Sequence, residues 1–166
     1  MKKEIPPRIL AIASAGGHWV QLMRLRPAWE GCTVYYVSTS ANRKREVIQD
    51  AKNRDVSPPA FYVVIEASRW EKFKLVRQFL QITKILLQVR PDVIISTGAA
   101  PGFFALRIGK LFGARTIWVD SIANSGEISL SGKKVGKSAN LWLTQWEHLT
   151  VTNGNCNTPR YEGKVV

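Results

Sequence analysis

The order of apolar runs along the chain restricts its fold more than any other feature. Short runs rich in β-branched residues alternate with longer runs whose apolar residues recur at helical spacing. Strands are predicted at residues 9–13, 33–37, 61–65, 93–96, 116–119 and 141–144. Helices are predicted at residues 18–26, 44–53, 71–89, 102–112 and 129–138. Continuous apolar strands separated by helices are typical of a parallel sheet covered on both faces. Right-handed crossovers then make a doubly wound, Rossmann-like α/β domain.

The 166 residues suffice for one such domain with its own core. We assign residues 1–151 to it and predict an extended C-terminal arm over 152–166, which is rich in Asn, Gly and Pro and lacks periodicity. No stretch approaches the ~20 apolar residues of a membrane span, and no apolar core follows the first lysines, so we expect neither a spanning helix nor an export signal. Cys32 and Cys156 lie far apart, which indicates a reduced, cytosolic protein, and no cluster offers three ligands for a metal.

The charge of the chain calls for an anionic partner. Lys and Arg total 24 against 12 acidic residues, a net charge of +12. Nucleic acid, an acidic membrane surface and a phosphorylated substrate all satisfy that excess. Lys74, Arg77 and Lys84 lie on one stripe of a predicted helix, which is typical of a solvated helix face.

Small and polar residues follow four of the predicted strands. These loops are residues 14–18, 96–102, 120–124 and 145–148. Because ligands of a doubly wound sheet bind beyond the carboxyl ends of its strands, the four loops together predict one site.

The first of these loops, Ser-Ala-Gly-Gly-His, lacks the G-x-G-x-x-G spacing of a dinucleotide site. The stretch Gly-Lys-Lys-Val-Gly-Lys-Ser at 132–138 is one residue short of a phosphate loop and precedes a strand, which excludes that motif too. What remains is anion binding by backbone N–H groups at helix starts. The candidate residues are Ser14, Gly16, Gly17, Gly98, Ala99, Gly102, Asp120 and Asn124. Alternatively, the glycines only permit close packing of helix on strand. Asp120 could orient a sugar hydroxyl or cap the turn.

His18 has three possible roles. Histidines titrate near neutrality, so it could act as a general base. It could also donate a hydrogen bond to a phosphate, or simply hold the loop. Among apolar residues on two predicted helices, Trp19, Met23, Phe103 and Phe104 are the candidates to face a membrane. Ordinary core packing is the alternative.

Five stretches, taken in order over nearly the whole chain, resemble one known family. They are SAGGHWVQL (14–22), PDVIISTGAAPG (91–102), IWVDSIAN (117–124), LWLTQW (141–146) and YEGKVV (161–166). The chain resembles the asparagine-linked glycosylation fourteen family, especially its bacterial exopolysaccharide and capsule members. The resemblance implies the amino-terminal half of a GT-B glycosyltransferase, with the nucleotide-sugar half on a separate, smaller chain. Eukaryotic members carry an amino-terminal membrane helix and a Thr where this chain has Trp19, so attachment would be peripheral and the transferred sugar is left open.

The resemblance further implies the roles of particular residues and partners. The chain would be one subunit of an inverting glycosyltransferase for exopolysaccharide or lipid-linked oligosaccharide synthesis, inactive alone and without a cofactor of its own. It would bind a polyprenyl-diphosphate-linked glycan acceptor at the anionic, cytoplasmic face of the cell membrane and recruit the nucleotide-sugar-binding subunit. Gly16, Gly17 and His18 would face the acceptor diphosphate or the reaction centre. The partner would dock on Tyr161, Val165 and Val166.

Two rival functions belong to other classes. A basic Rossmann-like module could bind nucleic acid, but the chain lacks the basic–aromatic interleaving and the recognition helix of such proteins, so we expect no nucleic-acid partner. A complete, stand-alone small enzyme is the other alternative.

Overall fold

A computed structural model describes residues 5–150 and 158–165 of the chain. Seven parallel strands form one sheet in the order β3-β2-β1-β4-β5-β6-β7. The strands are β1 (Arg8–Ala13), β2 (Thr33–Ser38), β3 (Ala60–Val63), β4 (Val93–Ser96), β5 (Arg115–Val119), β6 (Leu141–Thr144) and β7 (Arg160–Tyr161). Six of them lie where the alternation of apolar runs predicts.

Helices connect the strands. They are α1 (Gly17–Arg24), α2 (Arg43–Asn53), α3 (Lys72–Val89), α4 (Ala99–Leu111) and α5 (Leu130–Val135). Short 3-10 turns lie at Arg26–Trp29, Gly136–Ser138 and Glu147–Leu149. Helix α4 begins at Ala99, earlier than the predicted residue 102. Pro101 does not prevent this start, because it falls in the first turn, where a missing N–H costs nothing. Among the described residues, no helix combines the length and apolarity needed to cross a membrane.

The sheet is buried on both faces, as a doubly wound fold requires. Along β1, Leu10 and Ile12 enter a core shared with α3 and α4, whereas Ile9, Ala11 and Ala13 enter a second core shared with α1 and α2. Side chains alternate across a strand, so a strand with a helix layer on each side must be apolar throughout. The predicted fold class, a single Rossmann-like parallel sheet, is confirmed.

Trp19 corrects one of the membrane-facing predictions. Its side chain is fully buried in the core beneath α1, edge-on to Tyr36 and Phe61 at ring-centre distances of 5.9 and 5.8 Å. Its indole N–H donates to Glu46 Oε2 at 2.8 Å. A buried indole with its one polar atom satisfied is a core residue, so the prediction that Trp19 faces lipid is wrong.

The other three predicted membrane-facing residues do not form one surface with each other. Met23 is half-buried against the core beneath α1 and α2. Phe103 and Phe104 are half-buried against the core on the opposite face of the sheet. One flat lipid surface cannot contact both faces, so the predicted set is split by the sheet itself.

The end of the described chain adds a strand that the sequence did not predict. Within the predicted arm, Arg160 and Tyr161 pair in parallel with Leu143 and Thr144 and form the sheet edge beyond β6. A two-residue strand has too few positions to show periodicity. Residues 151–157, Cys156 among them, and Val166 lie outside the described residues.

Candidate functional site

The centre of the sheet contains the point where the strand order reverses. From β1 the chain moves outward to β2 and β3, then returns to β4 on the other side of β1. The loops that follow β1 and β4 therefore diverge, and they lead into α1 and α4. In doubly wound folds the crevice at this reversal is where ligands bind.

His18 joins these two loops. Its Nδ1 lies 2.9 Å from the carbonyl oxygen of Thr97, and the Thr97 hydroxyl donates to the His18 carbonyl at 2.6 Å. A carbonyl oxygen can only accept, so Nδ1 carries the proton in this contact. In the neutral ring the lone pair then lies on Nε2, which can accept a proton.

The backbone at the start of α4 adopts conformations that make room for this imidazole. Gly98 has φ +143° and ψ −173°, a region open essentially to glycine alone. A Cβ there would lie 2.4 Å from Cε1 and Nδ1 of His18. Ala99 follows with φ +65°, left-handed geometry that an alanine adopts at a cost of roughly 1–2 kcal/mol. Strained backbone of this kind is concentrated at functional sites.

Gly98 therefore gives a direct test of this geometry. We expect Gly98→Ala to push the imidazole away from Thr97 and to lower the free energy of unfolding by about 1–3 kcal/mol. Denaturant titration measures the stability, and the proton NMR signal of the His18 Nδ1–H reports the ring position. Gly126→Ala is the control, because nothing lies within 4 Å of a Cβ built there. Retention of the Nδ1–H signal in Gly98→Ala would contradict the proposed steric role.

The glycines after β1 serve a different purpose. A Cβ at Gly16 or Gly17 would meet nothing within 4 Å, so these residues are not needed for close helix packing. Both are exposed, and within the described chain no side chain caps the first turn of α1. The preceding residue is fixed: the Ala15 N–H donates to Thr39 Oγ1 at 3.1 Å, and Arg43 Nε donates to the Ala15 carbonyl at 2.9 Å. The turn thus presents open N–H groups on an anchored loop, suited to an anion.

A cleft of about 350 Å³ opens in front of His18. Its lining includes Ala99, Asn124, Glu127 and Ser129. The Lys133 ammonium donates to Glu127 at 2.6 Å and holds the pKa of that carboxyl below its usual range. A carboxylate that remains ionised is a weak general base near neutrality. His18 is thus the better-suited base in the cleft.

Two predicted binding residues have internal roles instead. Asp120 is buried, and its carboxylate accepts from the Ser121 N–H, the Asn124 amide and the Ser129 N–H at 2.9–3.0 Å. It shapes the loop and leaves Asn124 to line the cleft. Gly102 is also buried, and a Cβ there would lie 1.9 Å from Ser96 Oγ. Its prediction as a ligand-binding residue is corrected: it lets α4 pack on β4.

The remaining predicted residues lie at the same edge of the sheet. Ser14 is half-buried directly after β1, and Gly98 and Ala99 open α4 beside His18. Two residues of the site were not predicted from the sequence: Thr97, which holds the imidazole by a hydrogen bond, and Arg43, which anchors the first loop. Thr97 lies inside the predicted loop 96–102, whereas only tertiary structure brings α2 and Arg43 to the site. Over the described ranges, no three His, Cys, Asp or Glu side chains gather as metal ligands.

The fold has relatives among solved structures. The chain superposes on MurG of Acinetobacter baumannii with a TM-score of 0.67 and 13% identity, covering 90% of this chain and 44% of MurG. A UDP-N-acetylglucosamine 2-epimerase from Rickettsia bellii gives 0.62 and 12%, covering 86% and 40%. A glycosyltransferase from Rickettsia africae gives 0.55 and 16%, covering 85% and 36%. No protein-family model and no curated protein sequence matches the chain.

At these identities the likeness shows the fold alone. The chain spans less than half the length of each of these proteins. It has the fold of one half of a GT-B enzyme. The second Rossmann-like domain of such an enzyme has no counterpart in the described residues.

Proposed function

We propose that this chain is the acceptor-binding subunit of a two-chain, inverting glycosyltransferase. The acceptor is a glycan linked to a polyprenyl diphosphate, bound at the cytoplasmic face of the membrane. A separate, smaller subunit binds the nucleotide sugar. The pair serves exopolysaccharide or lipid-linked oligosaccharide synthesis.

One observation carries the proposal. His18 is fixed at the strand-order reversal with Nε2 as its proton-accepting atom, beside the open first turn of α1. The turn suits the acceptor diphosphate, through the N–H groups near Gly16 and Gly17. His18 Nε2 then takes the proton of the attacking acceptor hydroxyl. The hydroxyl oxygen forms the new bond to the anomeric carbon, and the bond to the nucleotide diphosphate breaks with inversion.

We assign the membrane contact to α3, in place of the predicted contact through Trp19. Its exposed apolar side chains follow one another at helical spacing, with Phe73 94% and Leu80 60% exposed. The others on this face are Val76 and Leu87, and Trp70 precedes the helix at 79% exposure. Exposed cations flank them at Lys72, Lys74, Arg77 and Lys84. Apolar and basic residues on one helix face favour an anionic lipid interface.

The position of this face agrees with a lipid-linked acceptor. Helix α3 leaves the carboxyl end of β3 and must return to the amino end of β4, so its first turn lies toward the edge that carries His18. Phe104 of α4 extends the apolar surface, with its ring 5.7 Å from that of Phe79. We call Trp70, Phe73, Val76, Leu80 and Leu87 the α3 face.

The partner is proposed to dock at the free edge of the sheet. Among the described strands β7 lies at the edge of the sheet, and the outer N–H and C=O groups of an edge strand can pair with another chain. Tyr161 and Val165 are half-buried there, so part of each side chain remains accessible.

Ligand binding by the chain alone tests the division of labour. We expect farnesyl diphosphate, a short polyprenyl diphosphate, to bind more tightly than farnesol, whereas UDP-N-acetylglucosamine does not bind. Replacing Gly16 and Gly17 together by alanine should weaken farnesyl diphosphate by about tenfold, because the methyl groups cover the N–H groups without disturbing packing. Calorimetric titration measures all three ligands. Tighter binding of the nucleotide sugar than of farnesyl diphosphate would overturn the proposal.

A further inference from the structure

Two buried glutamines form a hydrogen-bonded pair beside the site. Gln145 follows β6, Gln21 lies on α1, and both are almost fully buried. Gln145 Nε2 donates to Gln21 Oε1 at 2.8 Å and to the Asp120 carbonyl at 3.0 Å. Burying two amides is favourable only when their polar atoms are paired, so this pair has a defined geometry.

The same pair holds the loop that lines the cleft. Gln21 Oε1 accepts from the Ile122 N–H at 3.2 Å, and Gln21 Nε2 donates to Ser121 Oγ at 3.1 Å. Two residues later comes Asn124, which lines the cleft together with His18. The glutamine pair therefore fixes the path of residues 120–122 toward the site.

The C-terminal segment enters this network from the other side. The Val165 N–H donates to Gln145 Oε1 at 2.8 Å, and the Val165 carbonyl lies 3.5 Å from Arg24 Nη1. The Lys164 ammonium lies 4.4 Å from the ring centre of Trp146, whose indole N–H donates to the Ile122 carbonyl at 2.8 Å. Two neighbouring residues of the tail thus contact two residues that hold the same loop.

We propose that Gln145 is a positioning residue that couples the C-terminal segment to the cleft loop. When Val165 is docked, Gln145 Oε1 is paired and its amide is oriented toward Gln21 and Asp120. When Val165 leaves, a buried acceptor loses its donor, and the amide turns away from the loop to regain one. Docking of the tail and ordering of residues 120–124 are therefore coupled: each favours the other.

This coupling gives partner binding a consequence, a step that rests on the proposed function. A partner that holds Tyr161 and Val165 in place stabilises the ordered loop and strengthens acceptor binding. By reciprocity, acceptor binding strengthens the partner contact by the same factor. The tail is then part of the acceptor site as well as a docking element.

A proline at position 165 removes the one N–H on which the coupling depends. We expect Val165→Pro to raise amide hydrogen exchange at Ile122 by about tenfold, and Val165→Ala, which keeps the N–H, to leave it within twofold. The amide of Leu10 in β1 is the internal reference and should not change in either variant. If the Leu10 rate does change in Val165→Pro, the Ile122 rate is measured in Arg24→Ala instead. This variant removes the hydrogen bond between Arg24 and the Val165 carbonyl, which also holds the tail. The proposal would be overturned if the exchange rates of Ile122 and Leu10 were both unchanged in Val165→Pro. It would also be overturned if the Ile122 rate were unchanged in Arg24→Ala.

Binding of farnesyl diphosphate provides the functional readout. Its dissociation constant should rise in Val165→Pro in proportion to the change in exchange, and stay constant in Val165→Ala. Faster exchange with no ligand binding by any form of the chain would leave the coupling standing and reject the proposed acceptor. Unchanged exchange with normal binding of farnesyl diphosphate would reject the coupling and leave the proposed acceptor standing.

Discussion

His18→Ala is expected to lower the rate constant of glycosyl transfer by about 10²–10⁴-fold, the usual loss when a general base is removed. The reaction is measured as a single turnover in the complete two-subunit complex, with saturating acceptor and nucleotide sugar. Nε2 is the atom in question, since Nδ1 is committed to the Thr97 carbonyl. Acceptor affinity should change far less than the rate constant, because the proposal assigns the diphosphate to backbone N–H groups and not to the imidazole.

The chain provides a matched control for this variant. It contains two histidines, and His148 is exposed, with Nε2 2.7 Å from the Ser125 carbonyl. His148→Ala should leave the rate constant within about twofold, since its side chain is exposed and is not among those that line the cleft. A rate constant for His18→Ala within threefold of that control would remove His18 as the base.

Replacing Trp70 and Phe73 together by glutamate is expected to reduce binding to anionic vesicles by about 10²–10⁴-fold. Burial of one large apolar side chain contributes about 1.5–3 kcal/mol, and each 1.4 kcal/mol changes an equilibrium about tenfold. Two added carboxylates would also oppose the proposed attraction between the α3 face and anionic lipid. Co-sedimentation with vesicles of phosphatidylglycerol and phosphatidylcholine measures the change.

Leu111 offers a control for the replacement of an exposed apolar residue by a carboxylate. It is 84% exposed at the end of α4, toward the opposite edge of the sheet from the first turn of α3 and Phe73. Leu111→Glu should leave vesicle binding within about threefold. An equal loss per added carboxylate in the two variants would show that net charge governs the attraction. Salt-sensitive binding to RNA but not to vesicles would favour a nucleic-acid partner instead.

The sheet and the site edge could be predicted from the sequence because both depend on local composition. Strands buried on two faces are apolar runs, and polar loops at their carboxyl ends stand out against them. The open turn at Gly16 was identified for the same reason. The lock between His18 and Thr97 was not, since it joins loops 79 residues apart.

The surface could not be predicted because residue type does not fix exposure. Trp19 and Phe73 are both aromatic residues near cations in the sequence, yet Trp19 is fully buried and Phe73 is 94% exposed. Trp19 turns inward because Glu46, on another helix, satisfies its indole N–H. Helix α3 has its apolar residues on both faces, and the stripe expected to be merely solvated runs beside the exposed ones.

The order of the strands also determines when the site can form during synthesis. One edge of β1 pairs with β2, which is made soon after it, but the other waits for β4, where Ile9 pairs with Val93. Until then one edge of β1 is unpaired, and such an edge is prone to pair with other chains. The Thr97 carbonyl arrives with β4, so His18 acquires its fixed ring only when the middle of the sheet closes. A nascent or truncated chain that ends before β4 would carry the glycine turn without the contact that fixes the His18 ring.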